Sequence, residues 1–435
     1  MTTLLTARPA HGPGPDGSSA GGVPHATRNV ALAAMVLIGL DITLIQGVTT
    51  GTLAAVVLLP VWWPAARQFV GARVLLVLTA LAGLSGLWLA GDAAATHNVT
   101  ALILRATLLM VLGGFCAIGM ILWARTVLPL RAVALACGAG LLARFAFYPP
   151  NPVNPWKYGI AYALAVLALG LFAGSRPRWA EVLVLLALGG TSALNDSRSA
   201  FATMGLAAVL VVWQLRPTRM SRRSSGMATI ALLGTVAVCV YFAVTALIVD
   251  GYLGQTTQQR SIQQIDRSGS IILGGRPEWG ATVALFQHRP WGYGLGVSAN
   301  LEDLRVAKSG MANLSYDPNN GYVENYMFGR EIKLHAVVAD FWSSFGIPGL
   351  VLIVTVTGLV IWSLATGVAR RSASGVVVYL AVLTLWNLAF GPIVSSMPVL
   401  VLTVGLLLIR RDRPPDDTAP AEGLAERHPP APAAI

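Results

Sequence analysis

Charge is what this sequence has least of. Only 11% of its 435 residues are Asp, Glu, Lys or Arg, against about 25% in ordinary soluble domains. A soluble fold of this length needs far more polar surface to cover its core. Lysine is rarer still, confined to Lys157, Lys308 and Lys333. Cys116, Cys137 and Cys239 fall singly inside apolar runs, so neither a disulfide scaffold nor a cysteine metal framework is implied. The sequence also lacks HExxH, a Walker loop, GxSxG and, outside its ends, any DxD acid pair. A metal-assisted transferase that uses a soluble nucleotide sugar is therefore unsupported, and no metal or other cofactor is expected.

What the chain has in abundance is apolar length. Hydrophobic residues make up 55% of it, which places it among polytopic membrane proteins. Runs of roughly 17–25 apolar residues number about twelve. They cover residues 28–46, 48–63, 73–90, 100–123, 130–147, 158–174, 179–194, 199–214, 226–249, 346–368, 374–391 and 393–410. The expected fold is an all-α integral membrane protein: helices one to nine over 28–249, one large loop over 250–345, and helices ten to twelve over 346–411. Residues 1–27 and 412–435, rich in Pro and Ala, read as disordered tails rather than as a cleaved signal.

The net charge of +11 follows the positive-inside bias and calls for no nucleic acid. With a cytoplasmic amino terminus, the short inner loops hold Arg67, Arg73, Arg125, Arg131, Arg176, Arg178, Arg216, Arg219, Arg222, Arg223, Arg370 and Arg371. The inner carboxy-terminal end adds Arg410, Arg411 and Arg413, and the short outer loops hold only Lys157 and Arg198. Both termini are thus expected in the cytoplasm and the 250–345 loop outside. A loop of that length, with eight basic and nine acidic residues, needs a reason to exist.

Ionisable residues inside a bilayer are expensive and read as functional until shown otherwise. Asp41, Arg105, Arg144 and Arg198 all fall near outer helix ends and together suggest an anion site open to the outer leaflet. Arginine suits phosphate because its planar fork donates in pairs and stays charged when partly desolvated. The plain alternative is that each Arg snorkels to headgroups, or that Asp41 pairs with one of them as packing.

Within the loop, Gly274-Gly275-Arg276-Pro277-Glu278-Trp279 leads into an amphipathic segment over 280–287 that ends at His288-Arg289-Pro290-Trp291. Gly292-Tyr293-Gly294-Leu295-Gly296 follows, a spacing that is not a dinucleotide fingerprint but permits unusual backbone angles and close approach to a ligand or membrane. His335 precedes an amphipathic stretch with Val337, Val338, Phe341 and Trp342 that runs to Phe345-Gly346-Ile347-Pro348-Gly349. An imidazole beside arginines at the bilayer surface suits a general base or an electrophilic donor. A lone loop histidine is otherwise ordinary polar surface.

Taken in order, these elements resemble the O-antigen ligase / O-antigen polymerase superfamily. Ser197-Arg198-Ser199-Ala200 resembles its SR[ST] element, the Arg276–Gly296 segment its GR…W…Pl-G-GlG element, and His335 with Gly346-Ile347-Pro348-Gly349 its HN…GipG element. Ala336 and Ser344 replace the usual Asn and Glu, and Trp279 stands about one residue nearer Arg276 than is common. The resemblance covers roughly residues 190–365. It implies a glycosyltransferase in the bacterial cytoplasmic membrane that takes a glycan from a polyprenyl-pyrophosphate donor to a hydroxyl of a glycan, lipid or protein acceptor. It further implies that Arg198 and Arg276 hold the donor pyrophosphate, with His335 at the acceptor or the scissile bond. Arg105, Arg144, Arg289, Tyr322 and Trp342 are the expected substrate-binding residues; Trp291 and Tyr326 are further stacking candidates. Polymerisation of repeat units is the first expectation and ligation of finished chains the second. A twelve-helix transporter or flippase would instead call for repeated halves and mid-membrane charges, and residues 28–214 and 226–410 show no such correspondence.

Overall fold

A computed structural model describes residues 23–174, 178–216, 226–252, 254–268 and 275–411. Apart from residues 23–27, the two expected tails lie outside the described residues. So do Arg176, Arg219, Arg222, Arg223 and Arg413 of the inner-loop arginines, and Gly274 of the loop motif.

The described residues are mostly helical. The first half runs through α1 (His25–Leu40), α2 (Thr50–Val57), α3 (Leu59–Ala66), α4 (Ala72–Ala93), α5 (Ala101–Val127), α6 (Leu130–Ala143), α7 (Ala161–Phe172), α8 (Trp179–Leu194) and α9 (Arg198–Trp213). The second half holds α10 (Gly226–Val249), α11 (Gln255–Ser268), α12 (Glu278–His288), α13 (Leu301–Ala312), α14 (Val337–Ala369), α15 (Gly375–Phe390) and α16 (Ile393–Leu407). The described strands are a minimal antiparallel pair, β1 (Thr43–Ile45) and β2 (Val48–Thr49).

Among the described residues, four helices, α4, α5, α10 and α14, are long and apolar enough to cross a membrane, and six further apolar helical segments of 10–17 residues accompany them. The second expected span, 48–63, is instead two eight-residue helices that meet at Leu58, where Pro60 enters at the start of α3 and Pro64 lies within it. Proline has no N–H to continue the ladder, so the run breaks. The first helix begins at His25, directly after Pro24.

The bundle closes through α1 on α6, α6 on α7, α8 on α9, α14 along α4, and α16 against α5 and α15. Its core joins side chains such as Trp62, Phe115, Ile121, Leu169, Phe341 and Val378. A second, smaller core forms where residues 275–345 gather into a lobe. Leu285, Tyr293, Met311, Met327, Leu334 and Trp342 pack there against Ala90 and Ala93 at the end of α4. A long polar loop holds shape only by burying apolar surface of its own, and this one does.

The glycine run ties the lobe to the bundle. Tyr293 and Gly294 N–H groups both donate to the Ser343 carbonyl (2.8 and 2.9 Å), Leu295 N–H to Gly86 and Thr100 N–H to Gly296. Gly294 has φ 104°, and a Cβ there would stand 2.4 Å from the Ala90 nitrogen. The close approach that the glycines permit is therefore to the backbones of α4, α5 and α14, rather than to a ligand or membrane. A polar clasp backs it: the His97 and Asp303 side chains are hydrogen-bonded at 2.9 Å, and Asn300 caps α13 in a reciprocal box with Asp303. At Gly346 (φ 65°, ψ −153°) α14 kinks, dividing an amphipathic first part from the long apolar remainder.

Replacing Gly294 with Ala is expected to cost about 1–3 kcal/mol or more, from backbone strain plus the clash. Gly205→Ala in α9, where a Cβ meets nothing within 4 Å, should shift stability by about 1 kcal/mol or less. Thermal midpoints of the purified variants in detergent check both.

Candidate functional site

His335 sits in the connection entering α14 and carries two local costs. Its φ is 55°, a left-handed conformation for a residue with a side chain, worth about 1–3 kcal/mol of strain. Its ring is buried, and Nδ1 has no hydrogen-bond partner among the described residues, a further cost of about 1–3 kcal/mol. One face of the imidazole stacks on Tyr326, centroids 4.5 Å apart and planes within 3°. Tyr326 in turn leans on Tyr322 at 5.0 Å.

Glu278 begins α12, where the positive end of the helix favours a carboxylate. It is buried, accepts a 2.5 Å hydrogen bond from the Tyr322 hydroxyl through Oε1, and leaves Oε2 unpartnered. Burial first, and then this carboxylate, raise the Tyr322 phenol above its usual range, so it stays protonated and donates. Two residues before Glu278, Arg276 lies over the Phe390 ring at 5.9 Å, and among the described residues no carboxylate pairs with it. Trp279 Nε1 donates to the Ala389 carbonyl (3.0 Å), which pins the first turn of α12 to the end of α15.

His335, Glu278 and Arg276 are close enough to act on one another electrically. Burial lowers the His335 pKa from its ordinary 6.5; Glu278 opposes the shift, while Arg276 and Lys333 add to it. The imidazole is thereby held neutral around physiological pH, the state that can accept a proton.

Asp340 sets this arrangement. Its buried carboxylate accepts from Leu334 N–H at 2.8 Å through one oxygen and from Ile393 N–H at 2.9 Å through the other. The first bond fixes the residue before His335. The second caps α16, three residues after the Phe390 platform of Arg276. An acid in an otherwise apolar helical stretch is the sequence signal that marks such a residue.

The other expected residues divide clearly. Arg198, at the start of α9, donates to Ser261 of α11 at 2.8 Å. Helix α9 packs on α15, whose Phe390 end lies under Arg276. Arg144 is engaged by Asp41 at 2.6 Å, the packing alternative for that pair. Arg289 pairs with Asp92 (3.0 Å) at the edge of the lobe. Arg105 is exposed on the first turns of α5. Trp342 is buried, with Nε1 donating to the Pro290 carbonyl and its ring against Phe286 and Tyr293, so it serves the lobe as core. Tyr326 and Trp291 are exposed, and Tyr326 stands beside His335.

A bundle of apolar helices carrying a folded lobe is the architecture of a multi-pass membrane protein, and the strained His335 and an Arg276 with no carboxylate partner among the described residues make the lobe–bundle junction its candidate site. The family model described as O-antigen ligase matches residues 182–354, from α8 to just beyond the Gly346 kink, and spans Arg198, Arg276, Glu278, Tyr322, His335 and Asp340. That match supports the O-antigen ligase/polymerase superfamily for this chain, and with it a membrane glycan-processing function of that type. No curated protein and no solved structure matches the chain.

Asp340→Ala strands two buried N–H donors and should cost about 1–3 kcal/mol for each; Asp340→Asn restores at most one acceptor and should fall in between. Thermal midpoints measure this. The His335 resonances in an NMR titration should give a pKa below 6.5, moving up in Arg276→Gln and down in Glu278→Gln. Because the unfolded chain binds this proton more tightly, the group's contribution to stability is present above the ordinary imidazole pKa and fades as pH falls through the lowered one.

Proposed function

We propose that the protein transfers a glycan from a polyprenyl-pyrophosphate carrier to an acceptor hydroxyl at the outer face of a bacterial cytoplasmic membrane, polymerising the repeat units of an exported polysaccharide. In this reading the chain crosses the membrane twelve times with both termini in the cytoplasm. The observation that carries the site assignment is His335 itself. A buried, strained, incompletely hydrogen-bonded imidazole in the field of an unpaired arginine is costly to keep, and such costs gather where chemistry is done.

The acceptor oxygen attacks the anomeric carbon, the bond from that carbon to the pyrophosphate oxygen breaks, and the hydroxyl proton passes to His335. The leaving group departs with its electron pair as negative charge grows on phosphate. Arg276 and the free donors of Arg198 stabilise that charge as it develops, and removing one such donor typically costs about 10²–10³ in rate. Displacement in a single step inverts the anomeric configuration. Glu278 and Tyr322 hold the histidine's surroundings, and the exposed Tyr326 ring offers a face to a sugar.

The second reading, ligation of finished chains to a lipid or protein acceptor, is favoured by the description of the matching family. One experiment separates the two. A strain lacking the gene is complemented with wild type, Arg276→Ala or His335→Ala, each at normal membrane levels, and its polysaccharide is sized by gel. Polymerase activity predicts collapse to single repeat units that neither variant repairs. Long chains left on their lipid carrier identify a ligase. Full rescue by both variants removes these residues from the site.

A further inference from the structure

At the other end of α15 from Arg276, the inner ends of α5, α6, α14 and α16 surround a cavity of about 650 Å³. Four arginines line it: Arg125, Arg131, Arg370 and Arg410. Among the described residues lining it, none is acidic. The Glu181 side chain lies against Gly375 and does not line the cavity.

The four arginines are not equivalent. Arg125 is held in place, donating to the carbonyls of Gly405 (2.8 Å) and Leu408 (2.9 Å) with its guanidinium over Phe69. Arg410 donates to the Gln68 side chain at 2.7 Å. Arg125 is half-buried in the wall, whereas Arg410 is exposed; both line the cavity. Arg131 and Arg370 are exposed, and among the described residues neither has a hydrogen-bond or ion-pair partner. Ser374, only 9% exposed, also lines the cavity, and its hydroxyl has no hydrogen-bond partner. Like charges gathered around one space repel. With no acid among the described residues lining it, the positive field of the four arginines in this space is uncompensated.

We infer that this cavity binds a phosphate-bearing anion, either the headgroup of an anionic lipid or a soluble phosphate. Arg131 and Arg370 supply paired donors, and Arg125 and Arg410 supply standing positive charge. The volume suits a small-molecule group, and Leu130, Val377 and Leu407 give the wall an apolar side that a lipid glycerol would meet. The inference stands apart from the glycan reading, since it uses the opposite end of the bundle and none of its residues.

The test uses the purified full-length protein in neutral detergent, with the thermal midpoint read against added phosphatidylglycerol, phosphatidylcholine or sodium phosphate. A saturable rise with phosphatidylglycerol, absent with phosphatidylcholine and with phosphate, identifies the lipid as the source. A saturable rise with sodium phosphate at constant ionic strength identifies the soluble ion. In Arg131→Gln/Arg370→Gln the apparent affinity should fall roughly tenfold or more. Arg73→Gln, an exposed arginine outside the cavity, should leave it unchanged. Each single substitution, made at an exposed position, gives the same reading if the double variant expresses poorly. No saturable rise with either anion, an equal rise with phosphatidylcholine, or an effect that survives the cavity substitutions overturns the inference.

Discussion

Two backbone N–H groups from distant segments, Leu334 and Ile393, share the buried carboxylate of Asp340, and the geometry of the site depends on that sharing. One oxygen fixes the connection bearing His335. The other fixes the turn after α15, on whose last residues Trp279 and Arg276 rest. A carboxylate is the natural joint for this purpose, because it accepts from two directions at once and needs no donor of its own.

Around that joint the structure keeps several unfavourable groups together. The left-handed backbone of His335, its orphaned Nδ1 and the unpaired Oε2 of Glu278 each oppose folding. They persist because the lobe has its own apolar core and is fastened to α4 and α5 by the glycine run and the His97–Asp303 clasp. Local strain is tolerable where the surroundings are over-determined.

Helix α15 connects two charged regions of different character. Its end at Phe390 lies under Arg276, and its start at Ser374 opens on the arginine-lined cavity. Arginine supplies the charge in both regions, as expected of a chain with only three lysines. A guanidinium keeps its charge and its paired donors when partly desolvated.

Composition and apolar run length alone place the chain among helical membrane proteins and mark its apolar helical stretches. The run over 48–63 breaks at Leu58, just ahead of Pro60, and the glycine run has bundle backbone for its neighbours. Only the tertiary structure decided the partners. It gave Arg144 to Asp41, turned Trp342 into core, and brought Glu278 and Tyr326 to His335 across the lobe. It also made a single carboxylate, Asp340, the joint between lobe and bundle. Periodicity and motif spacing report what a segment prefers alone, whereas burial and pairing depend on which distant segment arrives beside it.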